Sequence, residues 1–287
     1  MLKKLFKYDV RSIWRYFWLI AVAVIGLSVT AAFMLHHSFT LDPLDEFEGA
    51  VYTVEMLGIV LSMVAIIGSA VVTEVLLFIR FYKNLYSDEG YLTFTLPVTR
   101  KQLLFSKTAN AMLWTVLHIL LLSVALIIFI WIAPVDKAAP HDYFTSVGFQ
   151  AMGQLFSQIW DALGAWSLLY GFLLLLACVA YLFFVISLAQ FAITVGAVVA
   201  KRAKVIAGIG IWYGISAAIS FVLELVMYLG LIFGFGAIME YGKNITNADI
   251  TIIVALIIFI AAALFASLAF MFYFFTLRNM ERRLNLA

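Results

Sequence analysis

Six apolar runs, each long enough to cross a lipid bilayer, decide most of what this chain of 287 residues can become. About 20 consecutive apolar residues cross the hydrocarbon core as a helix. The runs predict spans at about 16–36, 54–79, 108–132, 167–195, 205–228 and 251–275. Composition points the same way: 66% of residues are hydrophobic and 12% are charged, against roughly 25% charged in soluble domains. The expectation is an all-α integral membrane protein with six transmembrane helices, a single transmembrane domain over 1–287.

The net charge of +2 says little, but its distribution sets an orientation. Lys3, Lys4, Lys7, Arg11 and Arg15 precede the first span. Arg80, Lys83, Arg100, Lys101 and Lys107 lie between the second and third. Lys201, Arg202 and Lys204 lie between the fourth and fifth, and Arg278, Arg282 and Arg283 follow the sixth. Of the 18 basic residues, only Lys137 and Lys243 fall in the alternate loops. Basic residues stay on the cytoplasmic side, so both termini are expected in the cytoplasm. The outer loops are acidic, with Asp42, Asp45, Glu46, Glu48, Asp136, Asp142, Asp161, Glu240 and Asp249. Trp14 and Trp18 form an inner aromatic belt, and Trp131, Trp160 and Trp166 an outer one.

The first dozen residues place Leu2, Leu5 and Phe6 opposite Lys3, Lys4 and Lys7. That pattern predicts an interfacial helix over 1–12, resting on the anionic inner leaflet. The apolar run that follows, Trp14 to Leu35, is too long for a signal-peptide core. In the outer segment after span three, Met152, Leu155, Phe156, Ile159, Trp160 and Leu163 keep helical spacing and predict an amphipathic surface helix. Asn244-Ile245-Thr246 reads as a turn. After Val205 the apolar run continues to Met239, loosened by Gly230, Gly234 and Gly236, which predicts a short re-entrant or interfacial hairpin beyond Tyr228.

The most informative polar stretch is SDEGYLTFTLPVTRKQLLFSK, from Ser87 to Lys107. Asp88 and Glu89 precede Gly90, and an apolar run of Tyr91, Leu92, Phe94 and Leu96 follows. Pro97 then breaks any helix and biases Leu96 away from helical geometry. Thr99 with Gln102 has the form of a capping box, so a fresh helix is predicted to start there. The segment therefore reads as a short helix, a proline break and a capped helix entering the membrane.

The order Glu89-Gly90, the apolar run to Leu96, Pro97-Val98-Thr99-Arg100 and terminal Lys107 resembles the ABC-2 type permeases, the membrane subunits of ABC exporters. Tyr91 and Ser106 stand where that family more often has Thr and Gly. The resemblance implies a type V-like fold with an N-terminal elbow helix, a hairpin between the fifth and sixth spans, and a cytosolic coupling helix between the second and third. Asp88, Glu89, Gly90, Tyr91, Leu92, Phe94, Leu96, Pro97 and Arg100 would then be the ATPase-coupling residues. The implied partners are a separate ABC ATPase subunit, a second permease chain (identical or related) and membrane lipids, with no nucleic acid. The implied place is the bacterial cytoplasmic membrane, and the implied cargo a peptide, drug or lipid.

No Gly-x-x-x-x-Gly-Lys-Ser/Thr sequence occurs. Cofactors are therefore expected to be none in this chain, with ATP and Mg held by the partner ATPase. His36, His37, His118, His141 and Cys178 show no metal-ligand spacing, so neither a metal site nor catalytic residues are expected. Cys178 is expected to pack as a small apolar residue. Four polar residues interrupt the spans: Glu74, His118, Gln190 and Glu224. Intramembrane ionisable groups usually face the bundle interior or a water-filled cavity, which makes these four the pathway candidates. Their structural roles would be a Glu74 pairing with a base such as Lys107, interhelical bonds at His118 and Gln190, and a Glu224 that anchors the hairpin. Glu55 is expected to be solvated. Gly210-x-x-x-Gly214 and Gly230-x-x-x-Gly234 have the form of helix-contact motifs. An intramembrane protease would need a catalytic set at one depth, which these residues do not suggest. The alternative from another class is a non-transporting membrane immunity or sensor protein that binds a toxin or peptide.

Overall fold

The computed structural model describes residues 2–41, 44–95, 97–132, 144–200, 203–241 and 247–282, and of these the side chains at 2, 88, 91, 92, 144–152, 231, 233–241, 247, 248 and 282 are outside the description. The described residues form eight helices and no strand: α1 (Leu2–Ser38), α2 (Glu46–Tyr86), α3 (Asp88–Phe94), α4 (Arg100–Ile132), α5 (Phe144–Leu163), α6 (Trp166–Val199), α7 (Lys204–Tyr241) and α8 (Asn247–Arg282). Six of them, α1, α2, α4, α6, α7 and α8, are long and apolar enough to cross a membrane, and each contains one expected span. The chain is thus a multi-pass membrane protein. Its exposed surface is rich in large apolar side chains, among them Val22, Ile67, Leu175, Val226 and Ile260. Water would not tolerate so extensive an apolar surface on a monomer.

Two expected breaks are absent. The separate interfacial helix over 1–12 is instead the start of one continuous α1. Residues 2–38 contain no proline, so nothing interrupts the hydrogen-bond ladder. With 37 residues, α1 is about 55 Å long, against roughly 30 Å of hydrocarbon. The excess accommodates the basic first turns without a second element. Likewise, the hairpin expected beyond Tyr228 is helix through Tyr241. Each glycine there costs about 1 kcal/mol of helix propensity, which a ladder unbroken by proline absorbs.

Local signals explain the observed ends. Asp45 Oδ1 accepts the N–H groups of Phe47 and Glu48, each at 2.9 Å, and so caps α2. Gly164, at φ 53°, lies in the left-handed region between α5 and α6, where glycine alone is free of strain. The amphipathic helix predicted in the outer segment is α5, extended upstream to Phe144, with Leu155, Phe156, Ile159 and Trp160 exposed. Asp42, Asp136, Lys137, His141, Asp142, Lys201, Arg202, Lys243, the Asn244–Thr246 turn and Arg283 lie outside the described residues, as do the side chains of Met152 and Glu240.

The chain divides into two compact units, and α2 and α4 each contribute to both. The first unit comprises Met1–Leu77 and Ala109–Gly164. In it, Ser28 Oγ on α1 donates to the carbonyl of Ala125 on α4 at 2.6 Å. Trp114 of α4 is fully buried, its ring centroid 4.7 Å from Phe17 and 6.1 Å from Trp14. At the far end of α1, His37 Nδ1 lies 2.7 Å from Glu55 Oε1. Glu55, expected to be solvated, is therefore held by a side chain one helix away.

The second unit comprises Phe78–Thr108 and Ala165–Ala287. Here α6 packs on both α7 and α8. Phe184, Leu188, Ala269 and Phe272 form its buried cluster. Gly196 of α6 lies close against Gly208 of α7, where a Cβ on Gly196 would stand 2.6 Å from the Gly208 Cα. Gly210 and Gly214 carry the predicted contact motif, yet a Cβ added at either would meet nothing within 4 Å. The small-residue contact exists, but on different glycines. Cys178 is exposed and so faces the surroundings of α6 rather than its packed side.

Candidate functional site

The segment between the second and third spans lies wholly in the second unit. The last turns of α2 bury Phe81, Leu85 and Tyr86. Helix α3 follows after a single intervening residue, Ser87, whose carbonyl accepts the Gly90 N–H at 2.8 Å. Gly90 is buried, and a Cβ there would lie 2.6 Å from the Leu85 carbonyl oxygen and 2.9 Å from its carbon. Backbone at that distance cannot yield as a flexible side chain would. The glycine is what lets α3 fold back against the end of α2.

Charged residues hold the same corner. With its amide carbonyl turned toward Lys107, Asn84 donates to Glu89 Oε2 at 3.1 Å and accepts from Lys107 Nζ at 2.9 Å. One amide of α2 thereby links α3 to α4. Lys107 is buried, with Leu103, Leu104 and Ser106 beside it in sequence also buried. Phe94, at the end of α3, is half-buried, and the Arg100 guanidinium carbon lies 5.9 Å from its ring centroid. Arg100 also donates through Nη1 to the carbonyl of Met280 on α8. The predicted capping box is present in both directions: Thr99 N–H donates to Gln102 Oε1, and Gln102 N–H donates to Thr99 Oγ1, each at 3.3 Å. Pro97 is exposed in the break before it. Leu96 and the side chains of Asp88, Tyr91 and Leu92 are outside the described residues.

Gln190 belongs to a chain of hydrogen bonds in this unit. Its Oε1 accepts from Thr108 Oγ1 at 2.8 Å and its carbonyl from Thr194 Oγ1 at 2.7 Å. Since Thr194 has spent its proton, Tyr86 O–H is the donor in the 2.7 Å contact with Thr194. The chain joins the ends of α2 and α4 to α6. Interhelical bonds of this kind contribute about 0.6 kcal/mol on average in a bilayer, so it orients the helices more than it stabilises them.

The other candidates are dispersed. In the first unit His118 is buried, with Nδ1 3.2 Å from Thr73 Oγ1 and Nε2 3.3 Å from Ser69 Oγ. Glu74 Oε1 accepts from Thr115 Oγ1 at 2.8 Å. Where a basic partner was expected for Glu74, the observed partner is the hydroxyl of Thr115. Glu74 and His118 thus share one contact between α2 and α4. Glu224, in the second unit, is exposed on α7 and its side chain makes no hydrogen bond or ion pair among the described residues. With α7 continuous, it has no hairpin to anchor.

Among the described residues, no three of His, Cys, Asp and Glu come together as a metal site. No protein-family model, curated protein or solved structure matches the chain.

Sequence reasoning passed over Asn84, Thr108, Thr115, Thr194 and Trp114. A signal existed for part of this set, because Thr108, Thr115 and His118 repeat at helical spacing along one face of span three. Asn84 had none, since its role rests on two residues brought to it by the fold.

Proposed function

We propose that the chain is the membrane subunit of an ATP-driven exporter of the ABC-2 type. It would act in the bacterial cytoplasmic membrane with both termini inside, paired with a second permease chain and driven by a separate ATPase that binds ATP and Mg. Support comes chiefly from one observation: the first turn of α3 is braced by Gly90 against α2 and by Glu89 through Asn84 of α2 to Lys107 of α4. A force on such a helix reaches two membrane-length helices directly. Three residues of the sequence motif, Glu89, Gly90 and Lys107, carry that bracing, and a fourth, Arg100, lies by the ring of Phe94 at the other end of α3. An apolar or amphiphilic cargo, a peptide, drug or lipid, suits the apolar spans.

The test is association. Tyr91→Ala with Phe94→Ala, expressed with any ABC ATPase found encoded beside this chain, is expected to leave the permease folded in membranes. Copurification of the ATPase and substrate-stimulated ATP hydrolysis are both expected to fall. Apolar anchors dominate small interfaces, the best of them at about 2 kcal/mol or more each, so a loss of roughly tenfold or more in affinity is the expected scale. A folded double variant with undiminished association and hydrolysis would move coupling away from α3. If no ATPase associates even with the wild type, the exporter reading fails and the toxin- or peptide-binding protein takes its place.

Glu224 offers a separate check. An exposed side chain without partners changes stability by no more than about 0.5 kcal/mol when replaced. Glu224→Gln is therefore expected to give wild-type folded yield with altered transport or drug resistance. Normal transport in that variant would remove Glu224 from the pathway.

A further inference from the structure

A groove of about 400 Å³ lies where the start of α4 meets the end of α8, lined by Lys101, Phe274, Leu277, Arg278 and Glu281. Arg100 next to it is committed elsewhere, to Met280 and Phe94. Lys101 and Arg278 are not. Both are exposed, and neither side chain makes a hydrogen bond or ion pair among the described residues, with Glu281 or any other group. The groove therefore holds two uncommitted cations and one carboxylate.

Its walls change character along α8. Arg278 and Glu281 stand in the last turns of the helix, at the end of its apolar stretch. Phe274, 58% exposed, lies one turn further into that stretch, about 6 Å along the axis. Leu277 is buried beneath them. Cationic groups at the polar end and an exposed aromatic ring one turn deeper match the order of phosphate and acyl chain in a phospholipid.

We propose that this groove binds one anionic phospholipid of the phosphatidylglycerol type, with its phosphate between Lys101 and Arg278 and its acyl region against Phe274. A guanidinium can take two phosphate oxygens at once, and an ammonium adds a compact charge beside it. The excess of one positive charge matches the single negative charge of a phosphodiester. Glu281 has a role as well: it accepts from the hydroxyls of a glycerol headgroup and repels the second charge of a phosphomonoester. The inference rests on the groove and on the membrane-spanning helices, and stands whether or not the chain is an exporter.

Native mass spectrometry of the full-length protein in detergent, titrated with defined lipids, tests it. Phosphatidylglycerol is expected to be retained on the order of 25-fold better than phosphatidylcholine or phosphatidylethanolamine, and better than phosphatidic acid. Each cation near an anionic headgroup is worth roughly a fivefold gain in binding. Lys101→Gln with Arg278→Gln is therefore expected to lower phosphatidylglycerol binding on the order of 25-fold and leave phosphatidylcholine unchanged. Lys101→Arg should keep binding near wild type. If the double variant aggregates, Lys101→Gln alone is expected to lose about fivefold. Equal retention of phosphatidylcholine or phosphatidylethanolamine by the wild type would overturn the proposal. So would wild-type phosphatidylglycerol binding in the charge variants. Displacement of the lipid by equimolar inorganic phosphate would make this a free-phosphate site and overturn the lipid assignment.

Discussion

Gly90→Leu is expected to leave the six spans inserted and to uncouple α3 from them. The cause is local and steric. A Cβ at position 90 meets the Leu85 carbonyl oxygen at 2.6 Å, and that oxygen belongs to the last turns of α2. Overpacking a tight contact costs about 1–3 kcal/mol, and the overlap with backbone places leucine at the upper end of that range. The strain is relieved most easily by moving α3 away from α2, because α3 has only seven residues. That movement carries Glu89 away from Asn84, breaks the bridge to Lys107, and displaces the face that α3 would present to the proposed ATPase. Under the exporter proposal, ATPase copurification should then fall tenfold or more, the equivalent of about 1.4 kcal/mol. The melting temperature of the purified protein should fall with it. Gly90→Ala should show the same changes at smaller size, since the clash begins at Cβ. Wild-type melting and wild-type association in Gly90→Leu would mean that the contact with Leu85 does not position α3.

The largest loss of stability is expected from Trp114→Ala. Trp114 is the largest fully buried side chain among the described residues, with 0% of its surface exposed. It packs on Phe17 and Trp14 of α1. Lipid tails are as apolar as the ring, so burial itself gains little in a bilayer, and helix association there depends on van der Waals packing. An alanine would leave a void that forfeits those contacts outright. Phe or Trp to Ala in a packed core costs about 3–5 kcal/mol, and the low end applies where no transfer from water is involved. Set against a total of about 5–15 kcal/mol for a typical domain, that is a large fraction. Trp114→Phe separates packing from polarity. Trp114 Nε1 is buried without a hydrogen-bond partner among the described residues, and an orphaned donor costs about 1–3 kcal/mol. Removing it should offset much of the lost ring. Thermal unfolding in detergent is expected to show a deep drop for alanine and a small change for phenylalanine. Equal drops for both would mean that the ring does not act as packing between α1 and α4.

The membrane class, the number of spans and the break before α4 were all legible in the residues. Each depends on signals that act within about 20 residues: apolar length, a proline, and the Thr99 to Gln102 spacing that reappears as reciprocal hydrogen bonds. The same local logic misplaced two boundaries. It read the basic first turns of α1 and the glycines after Tyr228 as separate elements, whereas helix propagation carries through both. A charge pattern or a run of glycines weakens a helix without ending it, and only a missing donor or a competing cap does so.

Partnership was decided by the fold. Gln190 and His118 were recognisable as costly polar residues, yet Thr108, Thr73 and Ser69 became their partners only when separate helices were packed together. Glu74 shows the limit of charge reasoning, because its partner is the hydroxyl of Thr115. The close helix crossing fell on Gly196 and Gly208, while Gly210, Gly214 and Gly230 of the familiar spacing face open space. Spacing along one helix says which residues share a face. It cannot say which face meets a neighbour, since that depends on the shape and packing of a second helix whose position no single stretch of sequence encodes.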